Sequence, residues 1–313
     1  RVGVGGVLIM EVAQGTPLGP AAFMSAEWRE LFAHVVAEAG RLGLEVNMNN
    51  DAGWNGSGGP WITPERSMQK VVWSETAVEG PGRRDAVLPE PERVAGFYRD
   101  IAVLAVPSTS AFRIDNILVK ACYQVGEVGP APAAAAPPGA AIDRGRIVDL
   151  TNAMDASGRL VWDVPAGAWT VLRFGRTSTG VQNAPAPASG RGLECDKLSK
   201  EGVEANFAGM MAKLIADAGP AAGKALAATH IDSWENGAQN WTARIREEFT
   251  ARRGYDLLPF LPVMTGRVAG SLETSERFLW DLRQTISELV VENYAGHLRA
   301  LAGRHGMRLS IEA

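Results

Sequence analysis

The stretch from Gly6 to Asn50 limits the possible folds more than any other part of the chain. It holds an apolar run, GVLIMEV, then a Gly/Pro turn, QGTPLGP, then a helical segment, and finally a second β-rich run, LEVNMNN. In SAEWRELFAHVVAEAGRLG the residues Trp28, Leu31, Phe32, Val35, Val36, Ala39 and Leu42 follow i, i+3, i+4, i+7 spacing. Ser25 stands where a cap accepts from first-turn amides, and Gly43 where a left-handed terminator ends a helix. A crossover of this length returns the chain in its original direction, so the unit predicts two parallel strands and an α/β sheet.

From Pro81 to Cys195 the texture changes. Short alternating runs, RDIAVLAV, RIVDL, RLVWDV and WTVLRFG, are separated by Gly and Pro turns and predict an inserted β domain without a convincing helix. Within it GPAPAAAAPPGAA has the composition of a flexible surface loop. Helical periodicity returns in SKEGVEANFAGMMAKLIADAG, with Val203, Phe207, Met210, Met211 and Leu214 on one face of a single helix that stops at Gly219-Pro220. A strand, ATHIDSW, two further helical segments and a last strand, RLSIEA, complete the chain. Trp28 and Trp280 fall on apolar helical stripes and are expected in the core.

Strands alternating with helices on both sides of a β insertion predict part of a (β/α)8 TIM-like barrel interrupted by an all-β, sandwich-like insertion. A doubly wound sheet is the second choice. The expected domains are 1–80, the first part of the barrel; 81–195, the insertion; and 196–313, the continuation of the barrel. Because the chain lacks an initiator Met and a signal peptide, and RLSIEA stops inside a predicted strand, it reads as a piece of a longer protein.

Several function classes are disfavoured. Lys and Arg total 31 against 35 Asp and Glu, with no basic tract for a phosphate backbone, so nucleic acid is not an expected partner. No apolar run reaches the length of a membrane span. Cys122 and Cys195 are far apart and fit no metal spacing, and neither do the four histidines. GVGGV precedes its strand instead of following one, which removes a dinucleotide turn, and no G-x-S-x-G elbow is present.

Chemistry concentrates at three strand ends, the active face of a barrel. NMNNDAGWNGSGGPW, Asn47 to Trp61, supplies Asn47, Asn49, Asn50, Asp51 and Trp54; THIDSWENGAQNW supplies Asp232, Glu235, Gln239, Asn240 and Trp241; and LSIEA supplies Glu312. Glu235 and Glu312 are the candidate pair for glycoside hydrolysis, in which one carboxyl protonates the leaving oxygen and the other activates water or attacks. Either could instead cap a helix or pair with an arginine. Trp54, Trp61 and Trp241 could stack on a sugar ring while the amides read its hydroxyls, or they could pack; one is expected to stack and the others to pack. The alternation Asn47, Asn49, Asp51 resembles a hard-cation ligand set, but Ala52 and Gly58 break the EF-hand pattern, so spacing alone makes calcium a weak reading.

Taken together, GVGGVLIMEV, the block from FMSAEWRELF through NMNNDAGWNGSGGPWITPERSMQKVVWSE, GRGLECDK, HIDSWENGAQNWT, FTARRGYDLLPFLPVMTG and RLSIEA resemble glycoside hydrolase family 106, the α-L-rhamnosidases. The resemblance implies a calcium-dependent, inverting exo-glycosidase on a (β/α)8 barrel that releases terminal α-L-rhamnose from polysaccharides or glycosides. It also implies a periplasmic or secreted setting, Glu235 as general acid, Glu312 in the active site, and a sugar pocket lined by Asn47 to Trp54. A barrel of that kind would extend beyond both ends of these 313 residues, with a further carboxylate downstream. Asn55 stands where the family pattern suggests cysteine. The rival reading is a non-catalytic carbohydrate-binding protein or a glycosidase for another sugar.

Overall fold

The structure, a computed structural model, describes residues 3–15, 17, 19–129 and 135–312, so part of the Pro/Ala-rich run expected to be a flexible loop lies outside the described residues. The chain divides into two compact units. The first comprises Arg1–Met68, Gly180–Gly237 and Glu288–Ala313; the second comprises Gln69–Thr179 and Ala238–Ser287.

The first unit contains, in chain order, β1 (Gly6–Glu11), α1 (Ala26–Leu42), β2 (Glu45–Ala52), α2 (Lys200–Gly209), α3 (Met211–Ala218), β3 (Leu226–Ile231), a π-helical turn (Val290–Gly296), α4 (His297–Gly303) and β4 (Arg308–Ile311). Its four strands are all parallel and adjacent in the order β1, β2, β3, β4. Among the described residues this sheet is open at both edges. The opening strand, helix, strand unit forms as its periodicity predicts: the Ser25 hydroxyl accepts from the Trp28 amide at 3.2 Å, and Gly43 closes α1 at φ 70°.

The buried stripe of α1 is narrower than expected. Phe32, Val36 and Ala39 are buried while Leu31, Val35 and Leu42 are exposed, because i, i+4, i+7 suffices to seat a helix on a sheet. Trp28 is half-buried, stacked on Phe32, with its indole N–H donated to Glu11. The β1 run also differs from a buried strand, since Val7 and Leu8 are exposed on an edge strand that has a partner on one side only. β3, paired on both sides, is buried at all six positions.

Sequence periodicity predicts one helix from Ser199 to Gly219, and all five of its stripe residues are buried. The helix nevertheless breaks at Met210 (φ −129°, ψ −74°). Trp61 lies against Gly209 so closely that a Cβ there would stand 2.1 Å from the indole Cγ, and its N–H is held by Asn206 Oδ1 at 2.9 Å.

The second unit is built on a four-stranded antiparallel sheet. Strand Gln69–Val87 pairs along its whole length with Arg159–Ser178, which pairs with Arg99–Pro107, which carries the short Val148–Asp149. RLVWDV and WTVLRFG, which read as separate strands, are one ladder, because Gly167 (φ 112°) opposite Gly80 absorbs the irregularity inside it. The sequence-based edge at 80 therefore falls within a strand: Gln69 belongs with Ser178, its ladder partner, whatever the local composition. The unit also takes in helix Ile245–Arg253 and, up to Ser287, helix Leu272–Leu289, assigned above to the barrel, and is mixed rather than all-β. On the second of these helices Phe278, Leu279 and Leu282 are buried, but Trp280 is 59% exposed, with the Arg283 guanidinium 5.9 Å from its ring. The expectation that Trp280 is core is corrected: a broad apolar stripe includes positions that a packed helix turns outward. Cys122 and Cys195 are both free thiols.

Candidate active site

Register brings two of the predicted residues together. Ile231 lies opposite Ile311 in the β3–β4 pair, so Asp232 and Glu312 leave adjacent strand ends side by side. The Ser233 hydroxyl donates to Glu312 Oε2 at 2.6 Å. His230, one residue earlier, shares a hydrogen bond with Ser310 Oγ at 3.0 Å and presents Nε2 3.6 Å from Asp232 Oδ1. Burial and the hydrogen bond and charge of Glu312 raise the Asp232 carboxyl above its ordinary value, whereas the Ser233 hydroxyl and Asp232 lower Glu312. Asp232 and Glu312 are therefore a coupled pair in which Asp232 holds a proton more firmly than Glu312 does. Glu235 lies three residues further along the same loop and is exposed.

The end of β2 is held differently. Asn49, Asn50 and Asp51 are wholly buried. Asp51 accepts from the Asn49 amide at 3.0 Å and from the backbone N–H groups of Gly56, Ser57 and Gly58 at 2.9, 3.0 and 3.2 Å. Burial and the charge of Glu194 raise its pKa well above the usual range, against the pull of those backbone donors. Asn50 donates to the Gly56 carbonyl. The acidic and amide residues of this stretch thus fold the following glycine-rich turn, as Asx chemistry predicts. Tyr294, carried by the π-helical turn, donates to the same Gly56 carbonyl at 3.0 Å.

Beneath that turn lies a pair that sequence reasoning did not single out. Glu194 and Lys197 are both wholly buried and 2.8 Å apart. Glu194 also accepts from Asn55 at 2.7 Å, the Ser57 hydroxyl at 2.5 Å and Asn236 at 3.3 Å. Burial pushes Glu194 up, but the Lys197 ammonium and these donors more than reverse it and hold it below its ordinary value. Asn55, where the family pattern suggests cysteine, is one of those donors.

Of the three tryptophans, Trp61 packs against Gly59 and Gly209, Trp241 is buried in the second unit, and Trp54 is partly exposed. Gln239, Asn240 and Trp241 belong to the second unit. There Asn240 is fully engaged, accepting from the Val71 amide at 2.8 Å and donating to the Ala121 carbonyl at 2.9 Å, while the Trp241 amide bonds Gln69.

Among the described residues no three His, Cys, Asp or Glu side chains gather as a metal site, and the Asp51 carboxylate is taken up by N–H donors. The amide oxygens of Asn47, Asn49, Asn55 and Asn236 are buried without a partner. These are the oxygen ligands a hard cation takes, and Asn55 and Asn236 both adjoin Glu194.

Among the described residues no helix is long and apolar enough to cross a membrane. The chain is 40% identical over 313 residues to a protein of Formosa agariphila named "Putative beta-glucuronidase", covering 99% of this chain and 27% of that one. Its structure matches that of a rhamnosidase from Novosphingobium sp. PP1Y with a TM-score of 0.88 and 24% identity, over 100% of this chain and 43% of the other. It therefore spans less than half the length of either relative. The family model described as alpha-L-rhamnosidase matches residues 1–124 and 108–313, and the chain belongs to that family, glycoside hydrolase family 106.

Proposed function

We propose that the full-length protein is an inverting α-L-rhamnosidase that releases terminal rhamnose from polysaccharides or glycosides. The observation that carries this is the meeting of Asp232 and Glu312 at adjacent parallel strand ends, with Glu235 on the loop that follows, in a chain of the α-L-rhamnosidase family. In this reading Glu235 donates its proton to the leaving glycosidic oxygen. Glu312, held below its ordinary value by the Ser233 hydroxyl and by Asp232, takes the proton of a water attacking the anomeric carbon from the opposite side. Trp54 offers an apolar wall for the sugar ring. We read β1 to β4, parallel and in sequential order, as four staves of a (β/α)8 barrel with the second unit inserted.

Calcium, implied by the family resemblance, finds oxygen donors of the right kind in Asn49 and Asn55 beside Glu194. Bound there it would orient sugar hydroxyls, and no step above depends on it. Polysaccharide substrates fit a periplasmic or secreted enzyme.

The test is release of nitrophenol from nitrophenyl α-L-rhamnopyranoside by the full-length protein, with calcium and after chelation. Glu235→Gln and Glu312→Gln should each lower kcat by about 10² to 10⁴-fold. Near-normal turnover in Glu235→Gln sinks the acid assignment. Release from the β-D-glucuronide instead moves the assignment to the activity in the Formosa relative's name, and sugar binding with no turnover of either substrate favours a binding protein.

A further inference from the structure

We infer that the buried Glu194–Lys197 pair is a positioning device for Glu235, an inference that rests on the acid role proposed above. Both side chains are fully withdrawn from water and 2.8 Å apart. Glu194 sits on a two-residue strand, Leu193–Glu194, paired antiparallel with Gly58–Gly59, so its carboxylate lies under the loop that follows β2. One oxygen takes the Asn55 amide; the other takes Ser57 Oγ, Lys197 Nζ and the Asn236 amide. The Lys197 ammonium in turn lies 5.3 Å from the centre of the Trp234 ring and 5.7 Å from that of Tyr294.

The pair therefore touches the residue on each side of Glu235: Trp234 through a cation–π contact and Asn236 through a hydrogen bond. Asn236 is buried and Glu235 is exposed. A loop pinned at both neighbours presents the residue between them at a fixed height and direction, which a general acid needs because proton transfer demands hydrogen-bond reach. The same carboxylate holds Asn55 and Ser57, so the loop after β2 and the loop after β3 are set against one reference point. A buried ion pair is a poor source of stability compared with apolar packing of the same volume, and its retention suits a demand for one defined arrangement.

General acid assistance matters most for a poor leaving group, so the experiment compares two substrates in the full-length protein at saturating calcium. These are an alkyl α-L-rhamnoside, whose alkoxide needs the proton, and a dinitrophenyl α-L-rhamnoside, whose phenolate does not. Asn236→Ala leaves the ion pair intact, and Lys197→Met removes it. Both should lose about 100-fold in kcat on the alkyl substrate, the size of effect an ångström of misplacement has, with KM nearly unchanged and only a few-fold loss on the aryl substrate. If Lys197→Met does not fold, Asn236→Ala decides alone. Equal losses on both substrates, or none, overturn the inference. Glu235→Gln is run alongside. If it shows the leaving-group-dependent loss and the other variants do not, the positioning role fails while the acid assignment stands; if Glu235→Gln shows no such dependence, the acid assignment itself fails.

Discussion

Both units bury a cation against a carboxylate, but they treat the carboxylate differently. In the second unit the cationic ends of Lys120, Arg173 and Arg267 are withdrawn from water, while their partners Glu276, Asp100 and Glu75 stay 16%, 39% and 42% exposed. In the first unit neither Glu194 nor Lys197 reaches solvent. A carboxylate at the surface keeps much of its hydration and staples segments together cheaply, as Asp100 does with Arg173 on the neighbouring strand and Glu75 with Arg267. A carboxylate with no water must have its lone pairs filled by protein, and around Glu194 they are filled by side chains from two loops. The surface staples belong to scaffolding, the sealed pair to arrangement.

The sharpest way to break this contrast is Lys197→Met, which strands a charge in the sealed site and should cost about 3–5 kcal/mol in urea unfolding; a loss below about 1 kcal/mol would mean water reaches Glu194 after all. Gly209→Ala pushes a methyl into the Trp61 ring packed against it, and about 1–3 kcal/mol is expected from the same measurement. In the second unit Arg267→Met removes bonds to a half-exposed carboxylate, and a loss of only about 1 kcal/mol is expected. If it matched Lys197→Met, the distinction would vanish.

The smallest effect is one of pH. The Arg267 hydrogen bond lowers Glu75, and although burial opposes it, Arg173 and Tyr98 lower Asp100. Stability from a lowered carboxylate is present above its unfolded value, near 4.5 and 3.8 for these two, and is lost as pH falls through the folded value. Trp73 donates its indole N–H to Glu75 and can report the loss by fluorescence during acid titration. Asp232, which is raised, carries the opposite sign: the cost of ionising it grows as pH rises through its folded value.

The sequence was legible where a period or a strand end carried the information. The helical spacing found α1 with both caps, and the rule that strand ends bear chemistry singled out Asp232 and Glu312, which the β3–β4 register brings side by side. It misled where neighbours in sequence part company in space. Gln239 to Trp241 follow the Glu235 loop directly, yet the chain crosses into the other unit at Ala238, and Asn240 is used up there by Val71 and Ala121. Composition says that an amide will bond, not with what. Glu194 and Lys197 were invisible for a related reason: three residues apart on a two-residue strand and a turn, they show no helical or alternating pattern. Only their place in GRGLECDK, within the family resemblance, marked that stretch at all.

The interleaving of the two units also has a consequence for synthesis on the ribosome. The second unit has all its residues once Ser287 is made, but the parallel sheet of the first pairs Leu226–Ile231 with Arg308–Ile311, which are made later. The early strands, with the glycine-rich turn behind them, must wait through the production of more than 200 further residues, tens of seconds at about 5–20 residues per second, with apolar faces uncovered. A chaperone that shields β1 and β2 should therefore raise the yield of the folded protein more than one that acts on the antiparallel strands of the second unit.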